Sequence, residues 1–331
     1  MQHFLIIQTA FIGDVVLATA LIEKLHVFFP GAQIDFLLRK GNEGLLKDHP
    51  YLNETLIWDK KKGKYASLWE LLKLIRKRKY DKVINIQRFG ATGALTAFSN
   101  AKERIGFDKN PFSRFFDARV KHTMANETNS PHEIERNLTL IEHFTDGSIY
   151  KPKLYPRKTD EQTVERLRLH PYICIAPASV WFTKQYPAEK WISLIDKLPG
   201  HYTIYLLGAP GEKKLCETIQ DGTKLRAVTN LAGELNFLQS AALMRDAAMN
   251  YVNDSAPMHF ASAVNAPVTA VYCSTVPSFG YGPLSDEKYI VEVQEPLPCR
   301  PCGLHGYKAC PLQHFKCAHH IKDEQLLATI K

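Results

Sequence analysis

The residue types best suited to holding a phosphate lie at Asn253-Asp254-Ser255-Ala256-Pro257. Met249, Tyr251 and Val252 lead into this stretch as an apolar strand, and Met258, Phe260, Ala261 and Ala263 leave it with helical spacing. Asp or Ser ahead of a proline is a helix-start signature. A strand feeding a capped helix gathers free backbone N–H groups and the positive end of the helix dipole at one spot, which attracts phosphate. The same pattern also suits an ordinary strand-to-helix turn. A second candidate is Asp14, after a lone Gly13 at the tip of the first apolar run. It reads either as a helix N-cap or as a carboxylate facing the carboxyl edge of a sheet, where open α/β sheets gather their sites.

The elements that must position these residues are legible as alternating runs. Phe4–Ile7 is a continuous apolar strand, 15–29 a helix with Val16, Ala20, Leu21, Leu25 and Phe28 on one side, and 34–38 the next strand. Further strands are expected at 56–58, 83–86 and, as an edge, 104–107, with helices at 67–78 and 133–144. A linker rich in Gly, Pro, Lys and Thr covers about 146–160. The grammar then restarts: strands at 172–176, 203–207, 267–273 and 289–293, and helices from Pro187, Glu212 and Phe237. Two Rossmann-like domains are therefore expected, 1–150 and 160–331, an α/β architecture facing a central cleft. The first turn lacks G-x-G-x-x-G, so the dinucleotide fingerprint is absent there.

A chain of 331 residues is too long for one typical core. With 45% hydrophobic and 23% charged residues it is a folded protein. Its net charge of +8 favours a polyanionic partner: nucleic acid, an anionic membrane surface or a phosphorylated substrate. Basic runs at Lys60–Lys64 and Arg76–Lys79, with Arg88, Arg114, Arg119, Lys121 and His122, concentrate in the first half. No recognisable nucleic-acid module is present. No window is apolar enough for a membrane span, and the N-terminus has no cationic leader, so a reduced cytoplasmic setting is expected. Seven cysteines are present, four of them late in the chain: Cys299, Cys302, Cys310 and Cys317. Their spacing would suit four thiolate ligands to structural zinc, with reduced thiols as the other reading.

Five stretches in order, IGDVVLATALIEKL at 12–25, APASVWFTKQYPAEKW at 176–191, GAPGE at 208–212, NDSAPMH at 253–259 and the cysteine pattern at 299–317, resemble the ADP-heptose lipopolysaccharide heptosyltransferases of glycosyltransferase family 9. The resemblance implies a glycosyltransferase-B fold, with the acceptor on the N-terminal domain and the sugar nucleotide on the C-terminal one. It implies inverting transfer of heptose from ADP-heptose to the inner core of lipopolysaccharide. Asp14 is then the base, and Lys184 neutralises the leaving phosphate. Ser179 and Thr183 become phosphate or sugar partners, and Glu212 holds the ribose hydroxyls. Asp254, Ser255, Ala256 and His259 match a D-[ST]-G-x-x-H pattern around the diphosphate. Ala256 stands where that pattern has glycine, which tolerates unusual backbone angles and close approach. His132 and Arg136 match an H-x-x-E-R stretch. No cofactor is required by this chemistry. The implied partners are an ADP-sugar, an anionic lipopolysaccharide-core acceptor and the cytoplasmic membrane surface. A transferase acting on other surface glycans, a sugar-nucleotide epimerase of the same architecture, and a non-catalytic nucleotide-sugar binder are the alternatives.

Overall fold

The computed structural model describes all residues except 62, 124–129, 226 and 331, together with the side chains of 64 and 65 left aside. Lys62, part of the expected basic loop, therefore lies outside the described residues, as does the side chain of Lys64. The chain divides into two compact units, Met1–Tyr155 and Pro156–Lys331.

The first unit is built on six strands, β1 (His3–Ile7), β2 (Gln33–Arg39), β3 (Glu54–Trp58), β4 (Lys82–Asn85), β5 (Glu103–Phe107) and β6 (Ala118–Val120). All pair in parallel, in the order β3-β2-β1-β4-β5-β6. Helices α1 (Ile12–Phe28), α2 (Lys64–Arg78), α3 (Gly90–Ala97) and α4 (Glu133–Leu138) connect and cover it. Parallel strands need such crossovers, and their two covered faces explain the unbroken apolar run of β1, where Phe4, Leu5, Ile6 and Ile7 are fully buried. Each such side chain contributes about 1.5–3 kcal/mol by leaving water.

The spacing predicts one apolar side on α1, yet every residue from Val15 to Leu25 is buried. Two charges are enclosed with it. The Tyr155 hydroxyl donates to Glu23, and Lys24 Nζ donates to the carbonyls of Asp146 (2.5 Å) and Ser148 (2.8 Å). The segment 146–155 thus wraps α1. Two further readings differ. The expected helix at 133–144 ends at Leu138 and resumes only as a 3₁₀ turn at Glu142–Phe144. The strand at 103–107 is not the edge, because β6 pairs outside it. The short, polar β6 and the Gly- and Thr-bearing α3 carried no periodicity long enough to read.

The second unit repeats the plan with β7 (Tyr172–Ala176), β8 (Thr203–Leu206), β9 (Val228–Asn230), β10 (Met249–Asn253), β11 (Val268–Tyr272) and β12 (Lys288–Glu292). Its order, β12-β11-β10-β7-β8-β9, is the first sheet's order read from the other end. Helices α5 (Lys158–Val164), α6 (Ala188–Lys197), α7 (Lys213–Gly222), α8 (Phe237–Arg245), α9 (Ala256–Ala263), α10 (Lys316–His319) and α11 (Asp323–Leu327) complete it. The last two return the tail to the core: Phe315, Cys317, Ala318, Ile321 and Leu326 are buried with Tyr186, Trp191 and Tyr251. Each sheet reverses its strand order once, between β1 and β4 and between β7 and β10. Ligands of open α/β sheets bind at the carboxyl ends of such strands.

Candidate active site

Both reversal points carry the residues singled out in the sequence. In the first unit, Asp14 follows β1. It is not the N-cap: α1 starts at Ile12, Phe11 is the extended cap residue, and Asp14 sits in the first turn. Its Oδ2 accepts the Phe11 N–H at 3.0 Å. That bond and the helix dipole favour the carboxylate, but crowding by protein and the charge of Glu133 outweigh them. The Asp14 carboxyl is raised from 3.8 to about 6, with burial the largest cause. It is half-buried and keeps a solvent-facing edge.

Glu133 opens α4, which packs on α1. It is held by Arg136, whose Nη2 donates to it at 2.5 Å while Nη1 donates to the Pro131 carbonyl at 2.7 Å. His132 caps the same helix, its Nδ1 accepting the Ile134 N–H at 3.2 Å. The H-x-x-E-R stretch therefore folds one helix start beside Asp14. Nothing in the sequence pattern flagged Glu133, which the stretch contains only as one of its unspecified positions.

Around Asp14 the ends of β1, β3 and β4 are tied together. The Thr9 hydroxyl donates to Gln87 Oε1 at 2.7 Å, and Lys60 Nζ approaches the Thr9 carbonyl at 3.3 Å while lying over the Trp58 ring. The charges of Arg88 and Arg136 bear on His122; with burial as the larger cause, they lower its imidazole to about 4. This end of the sheet is cationic, and the raised Asp14 carboxyl lies in it. The other basic runs are not all available. Arg78 is bound to Asp35 (2.8 Å) and Glu54 (2.6 Å).

In the second unit, the loop after β7 meets the start of α9. Lys184 Nζ lies 2.6 Å from Asp254 Oδ2, and both side chains are largely buried. The Thr275 hydroxyl donates to the same oxygen at 2.7 Å. Asn253 stitches the two switch-point strands: its Oδ1 accepts the Tyr186 N–H at 3.0 Å, and its amide donates to the Pro177 carbonyl at 2.6 Å. α9 begins as the sequence required, with Ser255 extended at φ −156° as cap and Pro257 in the first turn. Pro257 has no N–H, and that of Met258 bonds the Ser255 carbonyl, so the amides at this helix end are those of Ser255 and Ala256. Ala256 is an ordinary helical residue, absent from the positions with positive φ among the described residues. The glycine of the family pattern is thus not needed for backbone geometry here. His259 is buried in the second turn of α9.

Ser179 is half-buried in the loop after β7, where its carbonyl accepts from Gln185 Nε2 at 2.6 Å. Thr183 is differently placed from the expected ligand. It is 1% exposed, and its hydroxyl accepts from the Tyr307 N–H (2.7 Å) and the Ser274 hydroxyl (3.0 Å) and donates to the Tyr307 carbonyl (3.3 Å). A hydroxyl has one proton and two lone pairs, so its capacity is filled within the protein. Glu212 ends a 3₁₀ turn, Pro210–Glu212, ahead of α7, and its Oε2 accepts the Ala209 N–H at 2.7 Å. Gly208 leaves room for it, since a Cβ there would lie 3.0 Å from that oxygen.

Cys299, Cys302 and Cys310 are half-buried and Cys317 is buried. Burial, with the neighbouring thiols, pushes Cys302 up and Cys317 up to about 12. Among the described residues no three His, Cys, Asp or Glu side chains are arranged to hold an ion. No described helix is long and apolar enough to cross a membrane.

The model for glycosyltransferase family 9 (heptosyltransferase) matches residues 68–307. Escherichia coli lipopolysaccharide heptosyltransferase 3 is 28% identical over 280 residues, spanning 80% of this chain and 82% of that protein. The lipopolysaccharide core heptosyltransferase OpsX of Haemophilus influenzae is 25% identical, over 81% of this chain and 78% of its own. Among solved structures, E. coli ADP-heptose LPS heptosyltransferase II aligns with a TM-score of 0.78 at 21% identity, covering 99% of this chain and 97% of that one. A family 9 glycosyltransferase from Veillonella parvula aligns with a TM-score of 0.82 at 20% identity, covering 99% and 95%. The two sheets therefore have the glycosyltransferase-B type of fold.

Proposed function

This chain belongs to glycosyltransferase family 9, the heptosyltransferases, and we propose that it moves heptose from ADP-heptose to the inner core of lipopolysaccharide with inversion. It is a glycosyltransferase, and membership in a transferase family sets aside the epimerase reading. The donor and acceptor are those named for the matched relatives, a heptosyltransferase acting with ADP-heptose and others acting on lipopolysaccharide.

The observation that carries the reading is the Lys184–Asp254 pair beside the start of α9. In an inverting transfer, an acceptor hydroxyl oxygen attacks the anomeric carbon, the bond from that carbon to the diphosphate oxygen breaks, and the hydroxyl proton must leave. Negative charge then grows on the departing diphosphate. Lys184, with the amides at the helix end, answers that charge in a site mostly closed to water, where such groups count most. Asp254 is itself anionic and holds the lysine rather than a phosphate; its Oδ1 is left for a sugar hydroxyl. Ser179, Ser255, Ala256 and His259 complete the donor side, and Glu212 receives the ribose diol.

Asp14 takes the proton. A carboxyl at about 6 is mostly ionised at neutral pH and a better base than an ordinary aspartate. The cations of the first unit, Lys60, Arg88 and Arg119, attract a phosphorylated acceptor, and the wider basic surface draws the protein to the anionic cytoplasmic face of the membrane. The first unit is thus read as the acceptor side and the second as the donor side. The reading routes no step through a metal and treats the four cysteines as reduced thiols.

Thermal melting with ADP, UDP, GDP and CDP tests the donor, each with and without magnesium. A ligand that binds only the folded state raises the melting temperature, by about 2.7 kcal/mol of stability at a hundredfold excess over its dissociation constant. ADP alone is expected to give the large shift. A larger shift with another nucleotide would refute the donor assigned here.

A further inference from the structure

The cysteine-bearing segment is not consumed by the transfer chemistry, yet it touches the donor site at three places in the second unit. The Arg300 guanidinium donates to the carbonyls of Cys273 (2.8 Å), Tyr272 (3.2 Å) and Thr275 (2.7 Å), and pairs with Glu292 (2.6 Å). It thereby satisfies the chain as it leaves β11. The Cys302 N–H bonds the Ser274 carbonyl at 2.8 Å. Tyr307 and Thr183 exchange backbone and hydroxyl bonds, and the Ser274 N–H donates to the Thr183 carbonyl at 3.2 Å.

Gly306 is the closest point. It is buried with φ +78°, a conformation that side-chain-bearing residues rarely adopt. A Cβ there would stand 2.9 Å from Thr183 Oγ1, 3.1 Å from Lys184 Cγ and 3.3 Å from Ser274 Oγ. The stem of Lys184 therefore has Gly306 on one side, while its ammonium is held by Asp254, which is held by Thr275. Thr275 belongs to the same run that Arg300 grips.

We propose that Arg300–Tyr307 is a positioning clasp for Lys184, with Gly306 and the Thr183 hydroxyl as the residues through which it acts. The proposal rests on the reading that Lys184 answers the charge of the leaving diphosphate. Three loops converge on one lysine: the loop after β7 carries it, the loop after β11 fixes its carboxylate partner, and the clasp locks the two loops together. A flexible lysine loses much rotamer freedom when it is held at one point, and the clasp takes that cost before donor arrives. The residues of the clasp are positioning residues, since none is placed to touch the reacting atoms.

The test is a mutant cycle on the full chain with ADP-heptose and a lipopolysaccharide-core acceptor. Thr183→Val keeps the branched shape and removes the hydroxyl; Thr183→Ser keeps the hydroxyl; Gly306→Ala presses on the lysine stem. A misplacement of about an ångström lowers turnover about a hundredfold. Thr183→Val and Gly306→Ala are expected to lower kcat about 10–100-fold with the donor KM changed less than about threefold, and Thr183→Ser to stay within about threefold of the parent. Each is then combined with Lys184→Met. If the clasp acts through Lys184, its substitutions add nothing to Lys184→Met, because coupled residues are not additive. Full additivity, or an effect on KM alone, would overturn the clasp. Should Gly306→Ala fail to fold, Thr183→Val and Thr183→Ser decide the matter. The two readings fail differently: Lys184→Met with unimpaired transfer would refute the role of Lys184 itself, whereas an impaired Lys184→Met with additive clasp variants would refute only the clasp.

Discussion

Asp14→Asn is expected to abolish most activity while making the protein more stable at neutral pH. The carboxyl stands at about 6 against 3.8 for an ordinary aspartate, so ionising it in the folded state costs more than in the unfolded one. A difference of about two units corresponds to about 3 kcal/mol, at 1.36 kcal/mol per unit. Asp14 keeps a solvent-facing edge, which reduces the figure to about 1–2 kcal/mol. The sign follows from proton binding. Between 3.8 and 6 the folded state binds more protons than the unfolded one, so stability contributed by this group falls as pH rises through that window, and the deficit persists above it. Asparagine carries no charge and keeps an oxygen for the Phe11 N–H. Urea unfolding at pH 8 and pH 4 measures the effect: the variant should gain about 1–2 kcal/mol at pH 8 and much less at pH 4. In parallel, kcat/KM of the unsubstituted protein should fall below about pH 6 with unit slope, and Asp14→Asn should lose about 10²–10⁴ of it. A variant that is destabilised at pH 8 would refute the buried-charge argument, and one that retains transfer within tenfold would refute the role of base.

Glu133→Gln removes a charge that raises Asp14, so the acid limb of the kcat/KM profile should move to lower pH; a limb that stays in place or rises would show that Glu133 does not act on it. Asp254→Asn breaks the partnership with Lys184 and should lower kcat about 10–100-fold in a steady-state transfer assay. Ala256→Gly should cost roughly 0.5–1 kcal/mol in thermal unfolding, since Ala256 is helical, and should leave ADP affinity by calorimetry within about threefold. His49 is buried and lowered to about 4, with burial first and His26 second as causes. The unfolded chain binds its proton first as pH drops below 6.5, so stability should fall on acidification towards 4 by at most about 1.4 kcal/mol per pH unit, and His49→Gln should flatten that slope in urea titrations at stepped pH.

The architecture was readable because parallel strands covered on both faces leave unbroken apolar runs, and those at 4–7, 172–176 and 268–272 stand out between turns. The β6 strand, three residues long, and the 3₁₀ break after Leu138 were not readable, since a strand so short has no period and the break has no Gly or Pro to mark it. The candidate site divides in the same way. The residue types at 14, 184, 212 and 254–259, and their place after apolar runs, follow from the order of amino acids alone. What each side chain is doing follows only from contacts between residues far apart in the chain. Spacing leaves Asp14 between cap and carboxylate; the helix start at Ile12 makes it a first-turn residue, and burial with the charge of Glu133, 119 positions away, raises its carboxyl. Thr183 stands in the sequence beside Lys184 as a candidate ligand, and only the fold shows its hydroxyl bonded by Tyr307 and Ser274. Asp254 and Lys184 were separate candidates, and folding makes them one ion pair. Local order sets which groups stand at the ends of strands; desolvation and charge coupling act through space, and therefore become definite only when the loops are packed together.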